Sequence, residues 1–248
     1  MTALDERRLR AWAAESASRL ELWSRFVNAT GAATVAEIGV YRGAFAARLL
    51  AECAHISVYY MIDPWRHLDD WNKPANKPDD VFEGFYNEAM ERTAAHEAKR
   101  IVLRGRTTEV IDEIPDGSLD FAYIDGDHTL RGITIDLVRV FGKVRDGGWV
   151  GGDDFSHSIW QHKRTFEPTM VFPYAVYFAE AVGARIFGLP RNQFLIAKTT
   201  GGRHEFVDLT GQYDELGLRG QFVSGPGSAP APAEPPSLRS RVRRRLGV

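Results

Sequence analysis

Apolar and polar residues follow two different periods along the chain, and the switches between them mark the elements. Over residues 4–27 the apolar positions Leu9, Trp12, Leu20, Trp23 and Val27 recur at multiples of a helical turn with charges between them. This predicts one amphipathic helix packed on the body of the chain. Residues 34–38 read as a short buried strand, followed at once by Gly39, Gly43 and a small-residue helix over 44–51. A second strand over 58–62 ends at Asp63 and Pro64, and 79–98 reads as a helix after a loop rich in proline and tryptophan. Apolar runs at 101–103, 121–124 and 149–150 are further strands, with helical patterns at 107–113 and 130–144 between them. Strands alternating with helices at this spacing predict parallel βαβ units in a doubly wound, Rossmann-like α/β sandwich of three layers. Residues 166–178, rich in Phe and Tyr at helical spacing, read as core or an oligomer interface. Then 185–189, the turn Pro190-Arg191-Asn192 and 193–198 predict an antiparallel hairpin closing one edge of the sheet.

After Phe222 the pattern stops, because Ser224 to Pro236 holds too few apolar residues to pack. The expected organisation is a helical segment at 1–30 packed on the body, a body at 31–222, and a Pro/Ala-rich linker with an Arg-rich end at 223–248. That end changes how the charge is read. The net −2 of the 248 residues averages a tail of +4, five arginines against Glu234, and a remainder of −6. The tail is read as solvated, the alternatives being contact with an anionic membrane surface, a polyanion or an acidic partner. Sequence-specific nucleic-acid binding is not expected. The one cysteine, Cys53, cannot form an intrachain bridge, no run approaches the roughly 20 apolar residues of a membrane span, and MTALDERRLR is too charged for a signal peptide. A cytoplasmic location is therefore expected.

In open parallel sheets ligands bind beyond the carboxyl ends of the strands, where helix N-termini present free N–H groups. Val35-Ala-Glu-Ile-Gly-Val-Tyr-Arg-Gly43 places two glycines at such a turn, spaced G-x-x-x-G rather than the G-x-G-x-x-G of a dinucleotide site. Glu37 would repel a pyrophosphate and suits an ammonium group instead. Asp63, at the end of the second strand, can accept hydrogen bonds from ribose hydroxyls. Ribose with an ammonium group describes S-adenosylmethionine (SAM) better than NAD. The run E-I-G-V-Y-R-G followed by Y-Y-M-I-D-P-W resembles the first two motifs of class I SAM-dependent methyltransferases. The resemblance implies that Glu37, Gly39, Gly43 and Asp63 bind SAM, and that Gly105 and Thr107, after the third strand, lie near its adenine.

Phe121-Ala-Tyr-Ile-Asp-Gly-Asp-His128 and Trp149-Val-Gly-Gly-Asp-Asp-Phe155 bring further acids to the same sheet edge. Carboxylates converging there repel one another unless a cation or a proton sits between them. All-oxygen ligands suit a hard ion such as Mg²⁺, which could hold and acidify a substrate hydroxyl. I-D-G-D-H and G-D-D-F are similar to the metal-assisted small-molecule O-methyltransferases, the macrocin O-methyltransferase-like methyltransferase family 24. The resemblance implies Asp125, Asp153 and Asp154 as metal ligands, with Asp125 also facing SAM. Asp127 and His128 are rival general bases, and His128 is preferred for its intrinsic pKa near neutrality. The expected reaction is Mg²⁺-assisted O-methylation of a hydroxylated small molecule or sugar-containing metabolite, by a chain that could form homo-oligomers. A metal-free methyltransferase using His128 or His157 as base, and a non-catalytic SAM-binding accessory protein, stay open as alternatives. Residues 65–78 could form a lid or pack under the sheet edge, and His157 and His162 read as surface positions at a helix start.

Overall fold

Ser18 divides the predicted N-terminal helix in two. Its Oγ accepts a hydrogen bond from Glu21 N (3.2 Å) while the Glu21 carboxylate accepts one from Ala17 N (2.8 Å), so S-x-x-E starts a new helix instead of continuing the old one. The computed structural model describes residues 6–213; there α1 is Glu6–Glu15 and α2 is Arg19–Thr30. The linker and Arg-rich end expected at 223–248 lie outside the described residues.

The chain continues with β1 (Thr34–Ile38), α3 (Ala44–Glu52), β2 (Val58–Asp63), α4 (Asp79–Arg92), β3 (Arg100–Arg104), α5 (Thr107–Val110), β4 (Leu119–Ile124), α6 (Leu130–Lys143) and β5 (Val144–Gly152). Then come α7 (Val171–Ala181), β6 (Arg185–Leu189), β7 (Gln193–Ala197) and β8 (Glu205–Asp208). The strands form one sheet in the order β3-β2-β1-β4-β5-β7-β6-β8. β7 runs antiparallel to both β5 and β6, and the other pairings are parallel. This is the expected doubly wound α/β fold with one correction. The hairpin does not close the sheet, because β8 adds to β6 beyond it. The predicted helix at 166–178 is α7, shifted toward the C-terminus, and Phe172 and Phe178 on it are buried as core. Among the described residues no helix is long and apolar enough to cross a membrane.

The amphipathic face of α2 explains why this segment stays on the sheet. Trp23 and Phe26 are fully buried, with Trp23 centroids 5.3 Å from Phe121 and 5.4 Å from Tyr123, and Phe26 5.7 Å from Trp149. Burying an indole requires a partner for its N–H, and Trp23 Nε1 donates to Gln193 Oε1 at 2.7 Å. Gly151 on β5 makes the approach possible, since any Cβ there would overlap the Trp23 ring. We expect Gly151→Ala to destabilise the fold by about 1–3 kcal/mol through overpacking, lowering Tm by roughly 2–12 °C. Thermal unfolding followed by circular dichroism checks this; an unchanged Tm would show that Trp23 repacks without strain.

Candidate active site

Strand order reverses between β1 and β4, and it is there that a doubly wound sheet opens a crevice. The parallel ladder continues one residue beyond the strand ends. Gly39 N donates to Ile62 O (2.9 Å), Asp125 N to Ile38 O (2.7 Å), Asp153 N to Ile124 O (3.0 Å) and Gly105 N to Asp63 O (3.1 Å). Four predicted site residues are thereby set side by side along one edge. Above them lies a cavity of about 620 Å³, a size suited to a small-molecule site.

Of the seven predicted cofactor residues, Glu37, Gly39, Asp63, Gly105, Thr107 and Asp125 line this cavity. Gly43 does not. It stands before α3 at φ 73°, packed on α4 so closely that a Cβ would come within 2.8 Å of Ala89 Cα, so its smallness serves helix packing. Gly39 has φ 87°, and a Cβ on it would collide with the Asp125 carbonyl oxygen, leaving bare backbone toward the cavity. Glu37 is buried and accepts from Tyr59 Oη at 2.8 Å. Burial holds its carboxyl well above the ordinary range, outweighing that hydrogen bond, so a cation in the cavity would relieve it. Asp63 accepts from Tyr41 N and Trp65 N, each at 2.8 Å; burial nonetheless lifts its pKa to about 6.

The three acids expected to hold a metal do converge, but around side-chain cations. Arg19 Nη1 lies 2.9 Å from Asp125 Oδ2 and also pairs with Asp153. His128 Nε2 lies 3.4 Å from Asp125 Oδ1, and its Nδ1 pairs with Asp154. Burial alone would lower the His128 pKa, yet its contacts with Asp125 and Asp154 push it up to about 10. Asp154 lines the cavity, whereas Asp153 stands behind it, with Oδ1 accepting from Asp154 N (2.8 Å) and Gln193 Nε2 (2.5 Å). Among the described residues no group of three or more His, Cys, Asp or Glu side chains is placed to hold a metal ion. As they stand, these donors do not fit one.

Asp127 also lines the cavity. Its Oδ1 accepts from Thr129 N (2.9 Å) and from Trp71 Nε1 (3.0 Å). Gly132 on α6 leaves room for it, since a Cβ there would overlap the Asp127 side chain. The loop carrying Trp71 supplies a cavity wall through Leu68, Trp71, Lys73 and Pro74. It is anchored below by the buried Trp65, whose Nε1 donates to Tyr41 O (2.7 Å), and across the opening by Lys73 Nζ, which donates to Glu167 O (2.8 Å). Residues 156–162 form an irregular segment instead of the expected helix start; His162 lines the cavity and His157 stacks near Phe172.

Sequence reasoning missed Arg19, Lys73 and Asp136. Asp136 on α6 lines the cavity, is buried, and accepts from Thr107 Oγ1 at 2.5 Å. Burial raises its pKa from the ordinary 3.8 to about 7, against that hydrogen bond. An acid whose pKa is higher folded than unfolded favours the folded state most below its unfolded pKa, and that contribution is lost as pH rises through 7. Asp136→Asn keeps an acceptor for Thr107 and removes the titration. We expect the variant to match the wild type near pH 4 and to gain on it up to pH 8, by at most roughly 4 kcal/mol. Urea unfolding at both pH values measures the difference; a gap independent of pH would refute the assignment.

Residues 36–155, which include this whole strand edge, match the family model described as a methyltransferase domain, methyltransferase family 24. That stretch of the chain is a methyltransferase domain. No protein with a curated description matches the sequence. The chain is similar in structure to a caffeoyl-CoA O-methyltransferase-like protein from Staphylococcus aureus, at TM-score 0.56 and 14% identity over 79% of this chain and 93% of that one. It is also similar to an O-methyltransferase from Bacillus cereus solved with SAH, at TM-score 0.51 and 14% identity over 80% of this chain and 93% of that one. At such identities the likeness establishes the fold.

Proposed function

We propose that the enzyme transfers a methyl group from SAM to a hydroxyl oxygen of a small molecule. The observation that carries this reading is one cavity that holds both a SAM-like set, Glu37, bare-backbone Gly39 and Asp63, and a positioned carboxylate, Asp127. The O-methyltransferase descriptions of the two similar structures support oxygen as the acceptor.

SAM, when bound, supplies a methyl group on a sulfonium, which needs no acid at its leaving group. Glu37 receives the ammonium of the methionyl part and Asp63 accepts from the ribose hydroxyls. The Gly39 backbone lets the cofactor approach the strand ends. Asp127 orients the acceptor hydroxyl and takes its proton as the new C–O bond forms. Its Oδ1 is held by Thr129 and Trp71, while Oδ2 makes no hydrogen bond among the described residues. His128 is less suited to that task because both ring nitrogens face carboxylates. Its charge and that of Lys73, on the same cavity, instead stabilise negative charge developing on the acceptor oxygen.

The divalent ion that the resemblance implies would have to displace Arg19 and His128 from the acids, so the pairing favours transfer without a metal, with Asp127 in place of a histidine as base. Calorimetric titration with SAM, followed by transfer of isotope-labelled methyl to a panel of hydroxylated small molecules read by mass, tests the reading. SAM binding with a methyl ether as product is expected. Products methylated only on nitrogen would overturn the choice of acceptor, and tight SAM binding without any product would favour the non-catalytic accessory reading.

A further inference from the structure

The carboxylates Asp125, Asp153 and Asp154 occupy corresponding strand ends, the arrangement that attracts a hard divalent ion. We propose that Arg19 takes that ion's place, serving as the built-in counter-charge of the acid cluster and closing it to metals. This rests on the methyltransferase reading and specifies how its site is balanced.

Each acid already holds a cationic partner. Asp125 is shared, Oδ2 going to Arg19 at 2.9 Å and Oδ1 to His128 at 3.4 Å. Asp153 pairs with Arg19 through Oδ2 and spends Oδ1 on Asp154 N and Gln193 Nε2, while Asp154 pairs with His128. A guanidinium brings a permanent positive charge between two of these carboxylates, its Nη1 facing both Asp125 Oδ2 and Asp153 Oδ2. An inserted metal would need Asp125 Oδ2, Asp153 Oδ2 and Asp154 Oδ2, which Arg19 and His128 already face.

Arg19 is also held in place. It is the first residue of α2, directly after the Ser18 cap, and sits one helical turn before the buried Trp23 on the same helix face. Trp23 Nε1 and Tyr123 Oη both donate to Gln193 Oε1, at 2.7 and 2.8 Å, and Gln193 in turn donates to Asp153. Arg19 Nη1 lies 3.4 Å from Tyr123 Oη. The helix, its arginine and the arginine's carboxylate partners therefore belong to one connected network that is anchored on the buried Trp23, Tyr123 and Gln193. A guanidinium stays charged across the working pH range, so this counter-charge cannot be lost by chelation or titration.

The test is Mn²⁺ binding to the full chain, followed by electron paramagnetic resonance, with SAM binding measured separately by calorimetry. Wild type is expected to leave Mn²⁺ free at ratios that would saturate a built site, and to keep its methyl transfer in EDTA. Arg19→Ala uncovers Asp125 and Asp153, and its Mn²⁺ affinity should rise at least tenfold. Arg19→Lys should gain less, and Arg19→Ala with Asp153→Asn should abolish the gain. Stoichiometric Mn²⁺ binding by wild type, or methyl transfer abolished by EDTA, would overturn the proposal, and if Arg19→Ala fails to fold the wild-type measurement alone decides. Loss of SAM binding by the wild type would refute the methyltransferase reading instead, so the two failures are distinguishable.

Discussion

Gly39→Ala is expected to weaken SAM binding at least a hundredfold and to lower stability by about 2–5 kcal/mol. Two costs combine. The residue sits at φ 87°, where a side chain adds backbone strain of about 1–3 kcal/mol, and its Cβ would overlap the Asp125 carbonyl oxygen while approaching Gly126 Cα within 2.7 Å. The atoms it strikes are backbone, so the relief has to come from moving β1 and β4 apart at the switch point, where the proposed cofactor site lies. A hundredfold loss corresponds to about 2.7 kcal/mol, within reach of that displacement. Gly43→Ala makes the informative control. It also carries positive φ and meets Ala89, so it should lower Tm, but it faces α4 and should leave SAM affinity nearly intact once folded. Calorimetry and thermal unfolding on both variants separate the two glycines; wild-type affinity in Gly39→Ala would remove it from the cofactor site.

Why the strand ends were legible is a matter of their physics. A parallel strand buried on both faces is a short apolar run, and where it stops its last amides are handed to the next strand's turn, so Gly39, Asp63, Asp125 and Asp153 each stand at a visible break in the pattern. Single residues at such breaks reveal chemistry without any knowledge of packing. What was hidden depended on the third dimension. Gly43 carries the same motif as Gly39, and only the approach of Ala89 shows that its smallness serves a helix contact. β8 is four residues long with no buried alternation, and it exists because β6 offers it an edge. Asp136 looked like an ordinary polar position on a helix until α6 turned it toward the cavity.

Arg19 is the instructive omission. The periodicity over 4–27 is equally compatible with one helix or two, since a short break costs the hydrophobic pattern little. The Ser18-to-Glu21 capping signal was present and would have placed Arg19 at a helix start rather than mid-helix. Even so, its pairing with Asp125 and Asp153 joins positions more than a hundred residues apart, a relation no local pattern encodes. The expectation of a cation among the acids was sound electrostatics, and the cations found there are supplied by the chain.

Asp127→Asn should lower kcat by roughly 10²–10⁴ while changing SAM affinity less than threefold, the signature of a lost proton acceptor. The competing account of Asp127 is structural, because its Oδ1 accepts from Thr129 N in the manner of an Asx turn opening α6. Asparagine separates the two roles. Its amide oxygen can keep accepting from Thr129 and from Trp71 Nε1, so the turn and the loop contact survive, whereas the charge that would receive a hydroxyl proton is gone. Stability should change by less than about 1 kcal/mol, since the amide fits the same space beside Gly132. A purely structural Asp127 predicts the reverse, near-normal turnover in Asp127→Asn and a larger loss of stability in Asp127→Ala, which removes the acceptor. Steady-state kinetics with the acceptor found by the labelled-methyl screen, together with unfolding of both variants, decides between them. An acceptor of lower intrinsic pKa should partly restore turnover to Asp127→Asn, because a hydroxyl that ionises more readily depends less on the missing carboxylate.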